Sequence, residues 1–222
     1  MTVDRNSARH DRDAVVGTAL ALLDEHGLPE LTMRRLAAAL GVQPSALYWH
    51  VENKQTLLAA VADRILAAAR PAPPEADDWR AAALAEVETV RDALLAYRDG
   101  AEVVLSTRAL GLGADAAHGR IRAALARGHD DTTAEVVATA LLDLVLGDTV
   151  LVQQRIHADT LGVTSTSVGL DAARSAADAA PSDRRDADAV LLGAALLLDG
   201  LAGRASADAG AAASDATAGG AR

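Results

Sequence analysis

An all-α fold is predicted for this chain of 222 residues by three features of its sequence. Alanine, leucine and valine dominate the composition, which is 50% hydrophobic but only 2% aromatic and favours helix. Apolar residues recur at helical spacing in one segment after another. Cap residues, glycines and prolines stand where these segments begin and end. The length allows one or two small domains with a substantial buried core.

The composition also excludes several classes of protein. The chain has no cysteine, so a disulfide framework, a thiol nucleophile and a cysteine metal site are ruled out. The N-terminus lacks the apolar run of a signal peptide. The two most apolar segments, 136–156 and 187–201, are too short for a membrane span or are interrupted by Asp143, Asp148 and Gly193. We therefore expect a soluble, cytoplasmic protein.

The first helix is predicted over residues 11–26. Val15, Ala19 and Leu23 fall on one face of it, and Gly27 stops it. Outside the region 31–54, further helices are expected over 54–70, 79–98, 101–107, 114–127, 134–157 and 187–201.

Local residues mark the ends of these helices. Asn53 is a suitable N-cap for the helix that follows it, and Thr132 or Thr133 for the helix at 134–157. Residues 161–186 are polar and are expected to form a loop with a short helix. Residues 204–222 contain no aliphatic anchor and are expected to be disordered.

The region 31–54 carries the most specific local pattern in the chain. Thr32 is a good N-cap for a short helix in which Leu36 and Leu40 recur at helical spacing, and Gly41 supplies the left-handed residue that ends it. A second short helix follows after only two residues. Two short helices joined by a tight turn that contains glycine are typical of the helix-turn-helix motif.

The second motif helix begins at Pro44, where the missing N–H of proline costs nothing, and it places Leu47 and Val51 on one side. The chain has no phenylalanine, two tyrosines and two tryptophans, yet one of each stands side by side here. Such side chains can contact phosphates and base edges in a major groove. A plain packing corner with core or surface aromatics is the alternative. The helix is expected to carry Ser45, Tyr48, Trp49 and His50, with Lys54 just beyond.

The charge of the chain is unusual for a protein that binds DNA. The formal net charge is −10, and residues 1–54 contain six Lys and Arg against seven Asp and Glu. Only the few cations that face phosphates release counterions, so net charge is a poor guide to binding. We expect modest non-specific affinity and marked sensitivity to salt.

The helices at 134–157 and 187–201 are apolar on more than one side, so each must be covered on several sides. Two such helices from each of two chains can form a four-helix interface in a homodimer. A single self-contained core is the alternative. The expected interface residues are Val136, Leu144, Val150, Leu191 and Leu198.

Three segments resemble a known family. LTMRRLAAALGV (31–42) and ALYWHVENKQTLL (46–58) resemble the DNA-binding domain of the TetR family of bacterial transcriptional regulators. ALLAYRDGAEVVLSTR (93–108) is similar to the ligand domain of the tetracycline-repressor branch of that family. The resemblance runs from about Asp13 to about Gly203, and it implies an all-helical homodimer that binds operator DNA and a small molecule.

The resemblance also implies which residues contact DNA. Arg34 and the start of the second motif helix match positions that face bases or the groove, and Arg34 is the candidate for a bidentate contact to guanine. Tyr48, His50 and Lys54 match phosphate-facing positions. Because the base-reading positions depart from the tetracycline-repressor pattern, the operator sequence does not transfer. The expected set is Thr32, Met33, Arg34, Pro44, Ser45, Ala46, Tyr48, Trp49, His50 and Lys54.

The ligand positions depart further from the tetracycline-repressor branch. A histidine that holds a magnesium–tetracycline complex in that branch is matched by Val104, and a glutamate on its dimer helix by about Leu151. Other polar positions map to the alanine-rich segment 67–70 and to Glu86. Little remains to coordinate a hard cation, so we predict that tetracycline–Mg²⁺ is not the effector and that no metal or cofactor is bound.

What remains suits a mainly apolar small molecule with a few polar anchors. The alternative is that the valines are core residues and the arginines lie in surface ion pairs. The candidate ligand-binding residues are Glu86, Val90, Val104, Thr107, Arg108, Arg120, Thr139 and Asp143.

An enzyme is not expected. The sequence contains no GxSxG, HExxH, Walker loop or strand-linked GxGxxG, and no spacing pairs carboxylates for acid–base catalysis. The histidines at 118, 129 and 157 do not have the spacing of a metal site.

The sequence thus predicts a repressor that a small-molecule effector other than tetracycline–Mg²⁺ releases from a palindromic operator. A corepressor-dependent regulator, an activator and a helical protein-interaction module without DNA binding are the alternatives. The expected domains are a helix-turn-helix domain over 1–54, a linker helix and connector over 55–78, a ligand-binding and dimerisation domain over 79–203, and the tail over 204–222.

Overall fold

The computed structural model describes residues 11–68, 78–160 and 189–204, and every regular element among them is a helix, as predicted. The helices are α1 (Arg12–His26), α2 (Met33–Leu40), α3 (Pro44–Leu47), α4 (Lys54–Ala67), α5 (Trp79–Leu95), α6 (Gly100–Ala109), α7 (Asp115–Leu125), α8 (Asp131–Thr160) and α9 (189–204). The predictions for 161–186 and for the tail beyond 204 lie outside the described residues.

Capping residues that the sequence predicts stabilise both ends of α2 and the start of α4. The Thr32 hydroxyl accepts a hydrogen bond from the Arg35 N–H at 3.1 Å, and Gly41 ends α2 with φ +67°. Asn53 and Thr56 form a reciprocal capping box at the start of α4. The three caps satisfy backbone groups that a short helix would otherwise leave without partners.

The second motif helix is shorter than predicted. α3 ends at Leu47, and residues 48–50 form a turn instead of continuing the helix. The Val51 N–H still donates to the Leu47 carbonyl at 3.0 Å, so this turn is a distorted continuation of the helix. The capping box at Asn53 explains the early end, because the chain must leave α3 to enter α4 within a few residues.

α4 connects an N-terminal head, formed by α1, α2 and α3, to a body formed by α5 to α9. It packs against α1 on the head side and against α5, α6 and α7 on the body side. Leu57, Val61 and Ile65 are almost completely buried along it. The same buried cluster of apolar side chains therefore extends from the head into the body, where α8 packs against α5, α6 and α7.

α9 lies beside α8 and α5. A Cβ placed on Gly193 would lie 3.7 Å from a methyl group of Leu144 in α8, and Asp199 forms an ion pair with Arg80 in α5. In the described ranges, no helix is both long enough and apolar enough to cross a membrane.

Several predicted boundaries are corrected by the structure. α5 ends at Leu95 rather than at residue 98, α4 ends at Ala67 rather than at residue 70, and α8 begins at Asp131 rather than at residue 134. The N-cap of α8 is Asp130, not Thr132 or Thr133. Its carboxylate accepts from the backbone N–H and the hydroxyl of Thr133, and these bonds lower the pKa of Asp130.

Candidate nucleic-acid interface and effector region

The helix-turn-helix presents one face to solvent. Leu36 on α2 and Leu47 on α3 are buried, and they fix the two helices against each other and against the core. Pro44 and Ser45, at the N-terminal end of α3, are exposed. An exposed N-terminal turn of a short second helix is the part of this motif that can approach base edges in a major groove.

The aromatic pair that follows α3 is also exposed. Trp49 is 89% exposed and Tyr48 is 55% exposed, although residues of this type normally bury much of their surface. His50 in the same turn is half-buried. The packing-corner alternative allowed core or surface aromatics, and the exposure of Tyr48 and Trp49 excludes the version in which they fill a core.

The two adjacent arginines of α2 differ in their surroundings. Arg35 binds Glu30 through Nη1 at 2.6 Å, so its charge already has a partner. Arg34 is exposed, and within the described part of the chain no carboxylate binds it. Arg34 is therefore free to bind an external anion or base, while Arg35 is restrained.

The remaining predicted DNA contacts lie around these residues. Thr32 is exposed but its hydroxyl serves as the cap of α2, Met33 packs partly against the core, and Lys54 is half-buried as the first residue of α4. Ala46 is half-buried in α3. The structure thus brings all ten predicted residues to the two motif helices, the turn after them and the start of α4.

Three of the candidate effector residues lie in the core of the body. Val90, Val104 and Thr107 are completely buried, and the Thr107 hydroxyl donates within its own helix to the carbonyls of Val103 and Val104 at 3.0–3.1 Å. The burial of the two valines agrees with the core alternative for those positions.

The charged candidates form two ion pairs. Arg120 on α7 donates through Nε to Glu86 on α5 at 2.9 Å, and Arg108 donates to Asp143 at 3.1 Å. The Nη2 atom of Arg120 is buried without a hydrogen-bond partner among the described residues. A buried donor without an acceptor is costly, so Arg120 is the polar candidate best suited to receive a ligand oxygen.

Thr139 is held by a histidine that the sequence did not single out as its neighbour. Its hydroxyl lies 3.1 Å from Nε2 of His118 on α7 and also donates to the Glu135 carbonyl. Within the described ranges, no group of three or more histidine, aspartate or glutamate side chains is arranged to hold a metal ion.

Arg91 is a buried charged residue in the body that the sequence did not indicate as a candidate ligand-binding residue. It is only 7% exposed in α5, and its Nε lacks a hydrogen-bond partner within the described residues. The available signal was its position four residues after Val87 on the inward face of the helix.

An apolar face runs along the outside of α8 and α9. The exposed aliphatic residues of this face are Val136, Leu151, Leu192, Leu196 and Leu197, while Ile156, which is also exposed, lies in a groove beside the turn between α5 and α6. Of the residues predicted for a dimer interface, Val136 is exposed, Leu144, Val150 and Leu191 are half-buried, and Leu198 is buried in its own chain. Leu198 is therefore not part of this face, because its side chain completes the contact of α9 with the core.

Comparison with known proteins agrees with this architecture. Residues 15–61, which contain the helix-turn-helix, match the family model for bacterial regulatory proteins of the tetR family. The class C tetracycline repressor of Escherichia coli is 40% identical over 150 residues, which is 67% of this chain and 68% of that protein.

Two solved structures are similar over most of the chain. BioQ with its natural double-stranded DNA operator has a TM-score of 0.60 and 40% identity, over 70% of this chain and 94% of that one. A TetR variant from Acinetobacter baumannii AYE in complex with minocycline has a TM-score of 0.65 and 30% identity, over 86% and 96%. The chain therefore belongs to the TetR family of bacterial regulatory proteins, and it is a helix-turn-helix DNA-binding regulator, not an enzyme.

Proposed function

We propose that this protein is a homodimeric, cytoplasmic repressor that binds a palindromic operator through its N-terminal heads and is released by a small-molecule effector in its body. The observation that carries the proposal is that the helix-turn-helix exposes Tyr48, Trp49 and Arg34, and that no carboxylate in the described part of the chain binds Arg34. A relative solved with its DNA operator supports operator binding by the heads, and a relative solved with minocycline supports binding of a small molecule. Effector binding and operator binding then weaken each other equally, because coupling between two sites is reciprocal.

Replacing Arg34 by Ala is expected to weaken binding to the specific operator by about tenfold or more, as expected for loss of a base contact worth about 1–3 kcal/mol. The matched variant Arg35→Ala removes the same charge but breaks only the pair with Glu30, so its effect should be much smaller. Fluorescence anisotropy with the DNA flanking the gene, at two salt concentrations, measures both affinities.

The comparison of the two arginine variants separates sequence recognition from general charge. Equal weakening of both variants on specific and unrelated duplexes would contradict the role of Arg34 in base recognition.

No binding of any duplex at low salt would favour the interaction-module alternative. Binding that appears only with an added small molecule would indicate a corepressor, and the direction of regulation is read from transcription in the presence and absence of the protein.

For the effector, we propose a mainly apolar molecule with an oxygen acceptor that reaches Arg120, rather than tetracycline–Mg²⁺. The proposal is supported by the buried donor of Arg120 and by the complete burial of Val104 where the tetracycline-repressor branch has a metal-binding histidine. Several relatives are tetracycline repressors, so tetracycline is the competing candidate that must be tested directly.

Isothermal titration calorimetry with tetracycline is expected to give no tight binding either with or without Mg²⁺. The physical reason is that a hard divalent cation needs several oxygen or imidazole ligands, and the positions that match the histidine and the dimer-helix glutamate are Val104 and about Leu151. Titration with Mg²⁺ alone is the control for binding of the cation elsewhere. Tight binding of tetracycline that requires Mg²⁺ would overturn the proposal and would identify the drug complex as a ligand.

The dimer is supported by the apolar face of α8 and α9. Leu192 and Leu196 are separated by one helical turn, and both are about as exposed as Val136 on α8. Gly147 on α8 and Gly200 on α9 are exposed, with no heavy atom near the position of an added Cβ. Leucines flanked by glycines leave room for the close approach of a second copy of the same two helices.

A further inference from the structure

The head and the body meet in a polar groove that the sequence did not predict. A groove of 260 Å³ lies between the C-terminal end of α1, the turn between α5 and α6, and the C-terminal end of α8. The residues that line it are Asp24, Leu95, Tyr97, Arg98, Asp99, Gln153, Ile156, His157 and Thr160.

Two adjacent residues of the α5–α6 turn bind the head. The Arg98 backbone N–H donates to the Asp24 carboxylate at 3.1 Å, and its Nη1 donates to the Glu25 carbonyl at 3.2 Å. The Asp99 Oδ2 atom accepts from the Leu28 N–H at 2.7 Å. The position of the head relative to the body therefore depends on Arg98 and Asp99.

The Asp99 contact is tightly fitted. Asp99 is almost completely buried and has φ +54°, a conformation that few residues other than glycine adopt. Gly27 approaches it from the head with φ +83°, and a Cβ on Gly27 would lie 2.9 Å from Asp99 Oδ2. The carboxylate of Asp99 is therefore in direct contact with the backbone that joins α1 to α2.

One nitrogen atom on α8 faces both residues. Nε2 of His157 lies 3.3 Å from Nε of Arg98 and 3.4 Å from Oδ1 of Asp99. The guanidinium Nε always carries a hydrogen, so Nε2 must be unprotonated to accept from Arg98. The carboxylate only accepts, so Nε2 must be protonated to donate to Asp99. The two hydrogen bonds therefore exclude each other.

We propose that His157 is a proton-operated switch at the head–body junction. In the neutral tautomer that carries its proton on Nδ1, the imidazole accepts from Arg98 and leaves that guanidinium undisturbed in its bond to α1. A proton taken up from solvent at Nε2 makes the imidazole donate to Asp99, and it places two cations side by side, so the guanidinium of Arg98 moves away from His157. Histidine is the side chain whose charge changes near physiological pH.

Other charged groups surround this switch. Asp24 lines the same groove from α1 and Tyr97 lines it from the α5–α6 turn, while Glu25 and His26 follow Asp24 in the sequence and lie 3.6 Å from each other. On α8, Arg155 and Asp159 are each two positions from His157. His26 is the competing source of any pH response at Leu28, because it is only two residues away in the sequence.

Nuclear magnetic resonance of the full-length protein between pH 5 and 8 tests the switch without DNA. In the wild type, the Leu28 amide and the Arg98 Nε–H signals are expected to shift together with the His157 imidazole, and the Arg98 Nε–H is expected to exchange faster with water at low pH. His157→Gln keeps a hydrogen-bond acceptor but does not titrate, so both shifts should be lost. His26→Gln should retain them. Shifts that survive in His157→Gln and disappear in His26→Gln would overturn the proposal.

The effect on DNA rests on the proposed function and is measured separately. The pH dependence of operator affinity should differ between the wild type and His157→Gln, and His26→Gln should resemble the wild type. Identical pH dependence in the wild type and His157→Gln would overturn the coupling of the switch to the head. Absence of operator binding at every pH would count against the proposed function, while the resonance shifts would still decide whether His157 exchanges its partners.

Discussion

Glutamate in place of both Leu151 and Leu196 is expected to convert the protein from a dimer to a monomer. The monomer should bind the operator at least about a hundredfold more weakly, because two linked heads gain about 10²–10⁴ in avidity over one head. Leu151 and Leu196 are 55% and 61% exposed on the outer face of α8 and α9. Burying a carboxylate without a partner in an apolar interface is strongly unfavourable, so association should be lost. Sedimentation equilibrium at micromolar concentration measures the mass, and anisotropy measures operator affinity.

Leu110→Glu is the matched control for this experiment. Leu110 is 58% exposed at the end of α6, outside the face formed by α8 and α9. It should change neither the mass nor the affinity, and both variants should keep the helix content of the wild type. A monomeric wild type would contradict the proposed dimer and favour a self-contained core. A double variant that remains dimeric would show that the two chains associate through a different surface.

Gly100→Ala is expected to lower the free energy of unfolding by about 1–3 kcal/mol, because overpacking a closely packed site forces nearby groups to shift. Gly100 is the first residue of α6, directly after Asp99, and a Cβ there would lie 2.6 Å from the Leu94 carbonyl oxygen. That oxygen belongs to the backbone and also accepts a hydrogen bond from Gln153 at 3.0 Å, so it cannot move freely. Urea denaturation followed by circular dichroism measures the change.

Gly119→Ala tests the same substitution where there is space. Gly119 is exposed within α7, and no heavy atom lies within 4 Å of an added Cβ. Alanine should stabilise the protein there by about 0.5–1 kcal/mol, through its higher helix propensity. Equal effects at positions 100 and 119 would show that the close approach to Leu94 has no energetic consequence.

The candidate DNA interface was largely predictable because the signals for it are local. Thr32, Gly41 and Asn53 act on backbone groups within a few residues, so their capping roles follow from the sequence alone. The sequence left open whether the pair at 48 and 49 is buried or exposed, and the structure places both at the surface while Leu47 and Val51 take the buried side. The early end of α3 was not predicted, because it depends on how soon α4 must begin.

The sequence by itself thus determined the all-helical class, most helix positions and the helix-turn-helix motif that contains Arg34, Tyr48 and Trp49. Only the tertiary structure decided which distant groups meet. The bond from Leu28 to Asp99 joins residues 71 positions apart, and the pair of Arg120 and Glu86 joins residues 34 positions apart. Helical periodicity shows which side of a helix is buried, but the partner on that side is fixed only when separate helices pack together.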